Sequence, residues 1–136
     1  MILVDTNILM YAAGADHPNK RPSTEFLERV ASDKIQAAID TEALQEILHR
    51  YLALGRGAEG RQVYDGARKL FAVPLPATVE VMDRARGFLD QHPQIGARDA
   101  MHAAIVVEHG LSGICSYDRG FDTLSSVLRF EPDELE

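Results

Sequence analysis

The sequence predicts an α/β sandwich with a mostly parallel sheet. Short apolar runs, which are typical of strands buried on both faces, alternate along the chain with longer segments in which apolar residues recur at helical spacing. Two of these runs, ILVD and ICSYD, end in an aspartate, at Asp5 and Asp118. Because ligands bind beyond the carboxyl ends of the strands in open α/β sheets, this class of fold also indicates where a functional site would lie.

The predicted strands are short and mostly apolar, as expected for the interior of a sheet. The first follows Met1 directly, and the last has the character of an edge strand. They lie at ILVD (2–5), IQAAI (35–39), within FAVPLP (71–76), at GICSYD (113–118) and at VLRF (127–130).

The predicted helices are recognised by apolar positions that recur about every 3.6 residues. The clearest is TEALQEILHRYLALG, where Thr41 is the predicted N-cap and Gly55 ends the helix. The helix at 99–109 is so apolar that we expect it to be buried on nearly all sides. The remaining helices are predicted at 6–14, 23–32, 62–70 and 79–91, with loops at 17–22, 55–62 and 92–98.

The composition is that of an ordinary globular protein, with 46% apolar and 26% charged residues. A length of 136 residues predicts one domain, 1–136. No apolar run approaches the roughly 18 residues of a membrane span, and no signal peptide precedes the first strand, so we expect no membrane partner. The single Cys115 suits a cytoplasmic location and excludes a cysteine-based zinc site.

The charge balance limits the class of function. The chain has 21 acidic and 14 basic residues, for a formal net charge of −7. Proteins that hold nucleic acid mainly by neutralising its phosphates are normally basic, so this class is disfavoured. The balance is compatible with an enzyme that approaches a phosphodiester through metal ions.

Four carboxylates occupy positions that the predicted topology could bring together. Asp5 and Asp118 end apolar strands, Asp99 opens the apolar helix, and the clearest helix carries Glu46 beside its apolar stripe. Taken singly, Asp5 and Asp99 could cap helices, and Asp118 could be a turn residue. Glu46 could pair with Arg50 one turn later. The four acids together are stronger evidence for a shared functional pocket than any one of them alone, because an unneeded charge is costly beside buried apolar elements.

A cluster of four carboxylates requires a compensating cation. Two carboxylates about 5 Å apart repel by roughly 3 kcal/mol at an effective dielectric of about 20, and four could not stay ionised together unaided. Hard oxygen ligands in a partly open site suit Mg²⁺ or Mn²⁺. Such an ion activates a bound water and stabilises charge on a scissile phosphate, so the acids predict metal-dependent phosphoryl chemistry.

Four stretches carry a recognisable pattern: ILVDTNILMYA, ALQEILHRY, ARDAMHAAIVVEHG and SYDRGFDTL. Together they span almost the entire chain, and they resemble the PIN-domain ribonucleases, within that family the VapC-type toxins of toxin–antitoxin modules. The resemblance implies a three-layer α/β/α sandwich around a mostly parallel sheet, with 1–136 as a single PIN-like nuclease domain. It also implies Mg²⁺- or Mn²⁺-dependent endonucleolytic cleavage of RNA, a homodimer, and neutralisation by a small cognate antitoxin protein.

The resemblance maps the family's acidic positions onto Asp5, Glu46, Asp99 and Asp118. It implies that the three aspartates coordinate the cation, directly or through water. Glu46 would complete the shell or act as the base toward the attacking water.

Polar supporting positions of the family map onto Asn7 and Ser116, which would hold the site and its water. Many relatives carry another acid two residues after the last aspartate, where this chain has Gly120. Asp122 lies just beyond and is the candidate substitute. The sequence therefore predicts one metal site and leaves a second open.

Other polar residues have weaker functional interpretations. His102 lies one helical turn after Asp99 and could face the pocket, but a hydrogen-bonded structural histidine is the simpler interpretation because no metal-type histidine pair accompanies it. A basic cluster in the middle of the chain could guide an RNA backbone or form a solvated helix face. Its members are Arg50, Arg56, Arg61, Arg68 and Lys69.

Two other classes of function stay open. An aspartyl-nucleophile phosphatase would use Asp5 as its nucleophile, but such enzymes generally have a second aspartate two residues later, where this chain has Asn7. A non-catalytic PIN-like protein-binding module would be expected to have lost its acids, whereas all four positions are occupied here. The RNA substrate, its cleavage motif and the identity of the antitoxin are not legible in the sequence.

Overall fold

The computed structural model describes residues 1–135. Within that range the chain forms six α-helices, four short strands and two 3₁₀ turns. In chain order these are β1 (Ile2–Val4), α1 (Thr6–Ala13), α2 (Lys20–Ala31), β2 (Ala37–Ala38), α3 (Thr41–Ala53), α4 (Gly57–Leu70), α5 (Val79–Gln91), α6 (Ala97–Glu108), β3 (Ile114–Cys115), a 3₁₀ turn (Arg119–Thr123), β4 (Arg129–Phe130) and a second 3₁₀ turn (Pro132–Glu134). Among these residues, no helix combines the length and the apolarity needed to cross a membrane.

The four strands form one parallel sheet in the order β2-β1-β3-β4. In the central strand β1, Leu3 pairs with Ala38 of β2 on one side and with Ile114 of β3 on the other. β4 lies at the edge, as predicted from its sequence. Because the strands are parallel, Asp5 after β1 and Ser116 after β3 emerge at the same edge of the sheet.

Helices cover both faces of the sheet. Ile2 and Val4 belong to a core packed beneath α1–α4, whereas Leu3 between them belongs to the core beneath α5 and α6. Cys115 and Ile114 of β3 divide between the two cores in the same way. This alternation is the two-residue period of a strand buried on both faces. The predicted three-layer α/β/α sandwich around a parallel sheet is confirmed.

All three segments predicted as loops are partly helical. In the last of them, 92–98, α6 begins at Ala97, two residues before the predicted start of that helix. α2 begins at Lys20, which places Pro22 in its first turn, where the missing N–H of proline costs no helical hydrogen bond. α4 begins at Gly57, five residues before the predicted start. A Cβ at Gly60 would lie 2.5 Å from the Cβ of Tyr51 on α3. The glycine-rich stretch therefore permits a close crossing of two helices and is not an exposed turn.

The strand predicted within 71–76 is reduced to a single parallel bridge between Asp40 and Leu75. The Leu75 N–H donates to the carbonyl of Ile39 at 2.8 Å, and the Leu75 carbonyl accepts from the Thr41 N–H at 2.9 Å. Prolines on both sides of Leu75 have no N–H to donate, so the pairing cannot extend.

The N-cap of α3 is Asp40, not the predicted Thr41. The Asp40 carboxylate accepts from the Ala43 N–H at 2.9 Å, while the Thr41 hydroxyl accepts from the Ala77 N–H at 3.0 Å. Gly55 follows the helix with φ +69°, as expected for the residue that ends it. The cap matters for the site because it fixes the Asp40 carboxylate at the start of α3.

Candidate active site

Asp5 is the buried centre of the site, with 6% of its surface exposed. It caps α1, since its Oδ1 accepts from the Thr6 N–H at 2.7 Å. Its Oδ2 accepts from the Ser116 hydroxyl at 2.5 Å. Burial raises the pKa of Asp5, against the opposing effects of His102 and Ser116. Asp5 therefore caps α1 and also belongs to the acid cluster.

Ser116 joins the ends of the two central strands through one hydroxyl group. Its Oγ donates to Asp5 and accepts both from the Asn7 amide, at 3.2 Å, and from the Asp118 N–H, at 2.9 Å. Ser116 is fully buried, so this hydrogen-bonding capacity is used entirely within the protein. The structure thus places Ser116 directly against Asp5, and Asn7 against Ser116.

Glu46 lies in the second turn of α3 and is 5% exposed. Its Oε2 contacts the guanidinium of Arg50 at 3.2 Å, which is the pair that the spacing predicts. The same oxygen lies 3.4 Å from Arg98 of α6, which also contacts Glu42 at 3.5 Å. The sequence predicts a loop at 92–98, so it does not indicate the contact of Arg98 with Glu46. Glu46 nonetheless acts electrostatically on Asp5, whose pKa it raises.

Asp99 and Asp118 lie on the solvent side of the cluster. Asp99 is half-buried in the first turn of α6, and Asp118 is exposed after β3, where it accepts from the Gly120 N–H at 2.8 Å. Burial and the negative charges of Asp118 and Asp5 raise the pKa of Asp99 to about 7. Asp5 and Asp118 are therefore both close enough to Asp99 to oppose its ionisation.

His102 is fully buried on α6 and has a partner that the sequence analysis did not find. Its Nδ1 lies 2.6 Å from Oδ2 of Asp40, and its Nε2 lies 3.8 Å from Oδ1 of Asp5. Burial lowers the pKa of His102, but Asp40, Asp5 and Glu46 outweigh that effect and raise it to about 9. One signal could have revealed Asp40: like Asp5 and Asp118, it directly follows an apolar predicted strand.

Asp122 is not brought to the other acids. Its carboxylate binds the guanidinium of Arg129, at 3.0 Å from Nε and 3.3 Å from Nη2, and it is exposed. Arg129 in turn contacts Glu131 at 3.1 Å. The candidate substitute for the acid missing at Gly120 is thus occupied in an ion pair with Arg129.

The donor set at this edge of the sheet fits a divalent cation. Asp5, Glu46 and His102 each offer one ligand atom, and these atoms lie within 4.8 Å of one another. Asp99 and Asp118 add carboxylates on the open side. Carboxylate oxygens are the ligands that Mg²⁺ and Mn²⁺ prefer. Nε2 of His102 is also a buried nitrogen without a hydrogen-bond partner among the described residues, which calls for a water or an ion.

Comparison with known proteins agrees with this geometry. Residues 2–126 match the model of the PIN domain family. The chain is 37% identical over 129 residues to "Ribonuclease VapC13" of Mycobacterium tuberculosis, covering 95% of this chain and 98% of that protein. It is 36% identical to "Ribonuclease VapC23" of the same species, covering 95% and 99%. The chain belongs to the PIN-domain family.

Solved structures share the fold at lower sequence identity. The structure of FitAcB from Neisseria gonorrhoeae matches with a TM-score of 0.74 at 23% identity, covering 99% of this chain and 100% of that one. VapBC2 from Rickettsia felis, bound to a DNA fragment from its promoter, matches with a TM-score of 0.75 at 19% identity, covering 96% and 98%. The resemblance to PIN domains inferred from the four sequence stretches is confirmed.

Proposed function

We propose that this protein is a divalent-metal-dependent endoribonuclease and the toxin of a toxin–antitoxin pair. One observation carries the proposal: acids from four separate stretches of the chain lie near one another at a single edge of the sheet. Ligand atoms of Asp5 and Glu46 lie within 4.8 Å of each other, and the charges of Asp5 and Asp118 both contribute to the raised pKa of Asp99. The similar curated proteins named ribonuclease VapC, aligned over almost the whole chain, support the same activity.

The aspartates and Glu46 have distinct tasks in this proposal. Asp5, Asp99 and Asp118 would hold the cation, and Glu46 would complete the shell or accept a proton from the attacking water. Mg²⁺ or Mn²⁺ bound there would lower the pKa of a coordinated water and stabilise charge on the phosphate. Ser116 and the Thr6 N–H hold the two Asp5 oxygens in a fixed orientation, so this ligand would need little reorganisation.

Two arginines beside the site could bind the phosphates of RNA, although the protein as a whole is acidic. Arg50 and Arg98 flank Glu46 from different helices, and about half of each side chain is exposed. A guanidinium in this position can bind a phosphate of the substrate bidentately. They would compensate locally for the formal net charge of −7. Hydrolysis by an activated water would leave a 5′-phosphate and a 3′-hydroxyl.

The partners in this proposal are an RNA substrate, a small cognate antitoxin and a second copy of the chain. The similar structures include a toxin–antitoxin complex from Klebsiella pneumoniae, with a TM-score of 0.68 at 18% identity. The lone Cys115, which is free and buried, suits the reducing cytoplasm where such a pair would act.

One assay separates this proposal from its two alternatives. Protein is incubated with a structured RNA and with a small phosphomonoester, in Mn²⁺ or in EDTA, alongside Asp5→Asn. We expect RNA cleavage that requires metal and that falls by about three orders of magnitude in Asp5→Asn, as for loss of a group that stabilises transition-state charge. The matched control is Asp65→Asn, an exposed aspartate on α4.

The other outcomes contradict the proposal in different ways. Turnover of the phosphomonoester alone, dependent on Asp5, would indicate an aspartyl-nucleophile phosphatase. Absence of both activities, in a protein that still binds a partner, would indicate a non-catalytic binding module.

A further inference from the structure

We propose, building on the nuclease function proposed above, that His102 is a nitrogen ligand of a divalent cation that also binds Asp5 and Glu46, and that Asp40 orients it. These three ligands are called the buried half of the site, and Asp99 and Asp118 the open half. The buried half would then prefer a transition-metal ion over Mg²⁺.

The position of the His102 Nε2 atom is the first support for this assignment. It is inaccessible to solvent, has no hydrogen-bond partner among residues 1–135, and faces Asp5 Oδ1 at 3.8 Å. That distance is too long for a hydrogen bond. It is a normal separation for two donors of one ion, since ligands about 2.1 Å from a metal lie about 3–4 Å apart. A ligand atom of Glu46 lies within 4.8 Å of both.

Asp40 provides the second support, because it determines which nitrogen is available. Its Oδ1 accepts from the Ala43 N–H and its Oδ2 lies 2.6 Å from His102 Nδ1, so both oxygens act as acceptors and Nδ1 is the donor. Metal-bound histidines almost always donate their second ring N–H to a carboxylate or a carbonyl, which fixes the ring. Asp40 and His102 reproduce that arrangement in a wholly buried pair. The ion would replace the proton on Nε2, since the ligand is the neutral imidazole.

The two halves differ in the kind of donor that they offer. Carboxylate oxygens and waters suit Mg²⁺, whereas imidazole nitrogen favours transition metals, with affinity rising from Mn²⁺ to Co²⁺. The open half contains oxygen donors only. A nitrogen donor in the buried half would therefore make the protein discriminate between Mn²⁺ or Co²⁺ and Mg²⁺.

The direct test is pulsed electron paramagnetic resonance of the full-length protein loaded with Mn²⁺ alone. We expect nitrogen modulation that changes when the protein is made with ¹⁵N-labelled histidine and that disappears in His102→Gln. His109→Gln, at the exposed C-terminal end of the same helix, is the matched control and should retain it. The wild-type measurement needs no substitution, so misfolding of a variant cannot obscure it. Bound Mn²⁺ without histidine nitrogen modulation would overturn the proposal.

Metal affinities give a second, independent measurement. Asp40→Asn should weaken Mn²⁺ binding about 10–100-fold, as for other residues that orient a ligand. His102→Gln should weaken Mn²⁺ and Co²⁺ binding more than Mg²⁺ binding, so that the preference for transition metals falls. An unchanged ratio of Mn²⁺ to Mg²⁺ affinity in His102→Gln would contradict the assignment. Both experiments omit RNA, so failure of the nuclease proposal and failure of this one remain distinguishable.

Discussion

The buried half and the open half of the site are held in different ways. In the buried half, every carboxylate has fixed partners: Asp5 is bound by Thr6 and Ser116, and Glu46 by two arginines. In the open half, Asp99 is half-buried and Asp118 is exposed, and burial together with the negative charges of Asp118 and Asp5 raises the pKa of Asp99 to about 7. The inner carboxylates are thus held in place by hydrogen bonds and arginines of the fold itself, whereas the outer carboxylates lie nearer the solvent, where a bound cation would act on them.

The largest expected difference between the halves is in stability. Asp40→Ala leaves His102 buried without its partner and removes the N-cap of α3, so the free energy of unfolding should fall by about 3 kcal/mol or more. Asp99→Asn removes a repelling charge, so it should leave the free energy of unfolding unchanged or raise it. Urea denaturation of both variants in EDTA measures this. Asp40→Asn, which keeps an acceptor for the cap, should lower the free energy of unfolding by less. Equal decreases in Asp40→Ala and Asp99→Asn would mean that the two halves do not differ in this way.

Cation binding should reduce the repulsion within the site. At a free concentration of about 100 times its dissociation constant, Mg²⁺ or Mn²⁺ should raise the free energy of unfolding by about 2.7 kcal/mol, because the ion binds only the folded chain. Thermal unfolding with and without EDTA provides the measurement. Asp118→Asn should require a higher concentration for the same shift, because it removes a proposed ligand. A melting temperature indifferent to both ions would count against a metal site at this edge of the sheet.

The dependence of stability on pH should show two separate windows in EDTA. Asp99 has a raised pKa, from 3.8 to about 7, so the folded state binds more protons than the unfolded state in between, and stability falls as pH rises from about 4 to 7. His102 has its pKa raised from 6.5 to about 9, so its stabilising contribution is complete below 6.5 and is lost as pH rises to 9.

Each window can be assigned to one half by substitution. Denaturation across pH 4–9 should show that Asp99→Asn flattens the acidic window only, because the Asp40–His102 pair is intact. Asp40→Asn should flatten the alkaline window, because it removes the first of the charges that raise the pKa of His102. Loss of both windows in a single variant would mean that the two halves titrate as one unit.

The smallest effect is expected at Asp122, which lies outside both halves. Its ion pair with Arg129 is exposed on the aspartate side, so Asp122→Asn should change the free energy of unfolding by less than about 1 kcal/mol. RNA cleavage should also stay close to wild type, in contrast to Asp118→Asn. Parallel cleavage assays of the two variants check this. A comparable loss of RNA cleavage in both would mean that Asp122 belongs to the active site.

Sequence reasoning succeeded where the signal is local. The apolar run ending at Asp5, the helical periodicity of 79–91 and the apolar helix that carries Asp99 in its first turn all reflect neighbouring residues, and the structure has each of them. It failed where a residue type serves two purposes. Glycine at position 60 looked like a turn residue, yet it is there because α3 and α4 cross too closely for a side chain.

The contacts that the sequence does not reveal share a different property, which is that their two residues are distant in sequence. Asp40 and His102 are separated by 62 positions, and neither has a motif that names the other. Arg98 meets Glu46 only because α6 packs beside α3. No periodicity encodes such meetings, since they depend on how two helices pack across the end of the sheet.

By itself the sequence determined the α/β class and the acids that follow or open its apolar elements, because both are written in short-range patterns of burial and charge. Only the tertiary structure decided how those acids divide into an inner group, held by hydrogen bonds and arginines, and an outer group nearer the solvent. The physical reason is that the ionisation of a carboxylate depends on solvent exclusion and on charges a few ångströms away, and the packing of α3, α6 and the strand ends sets both.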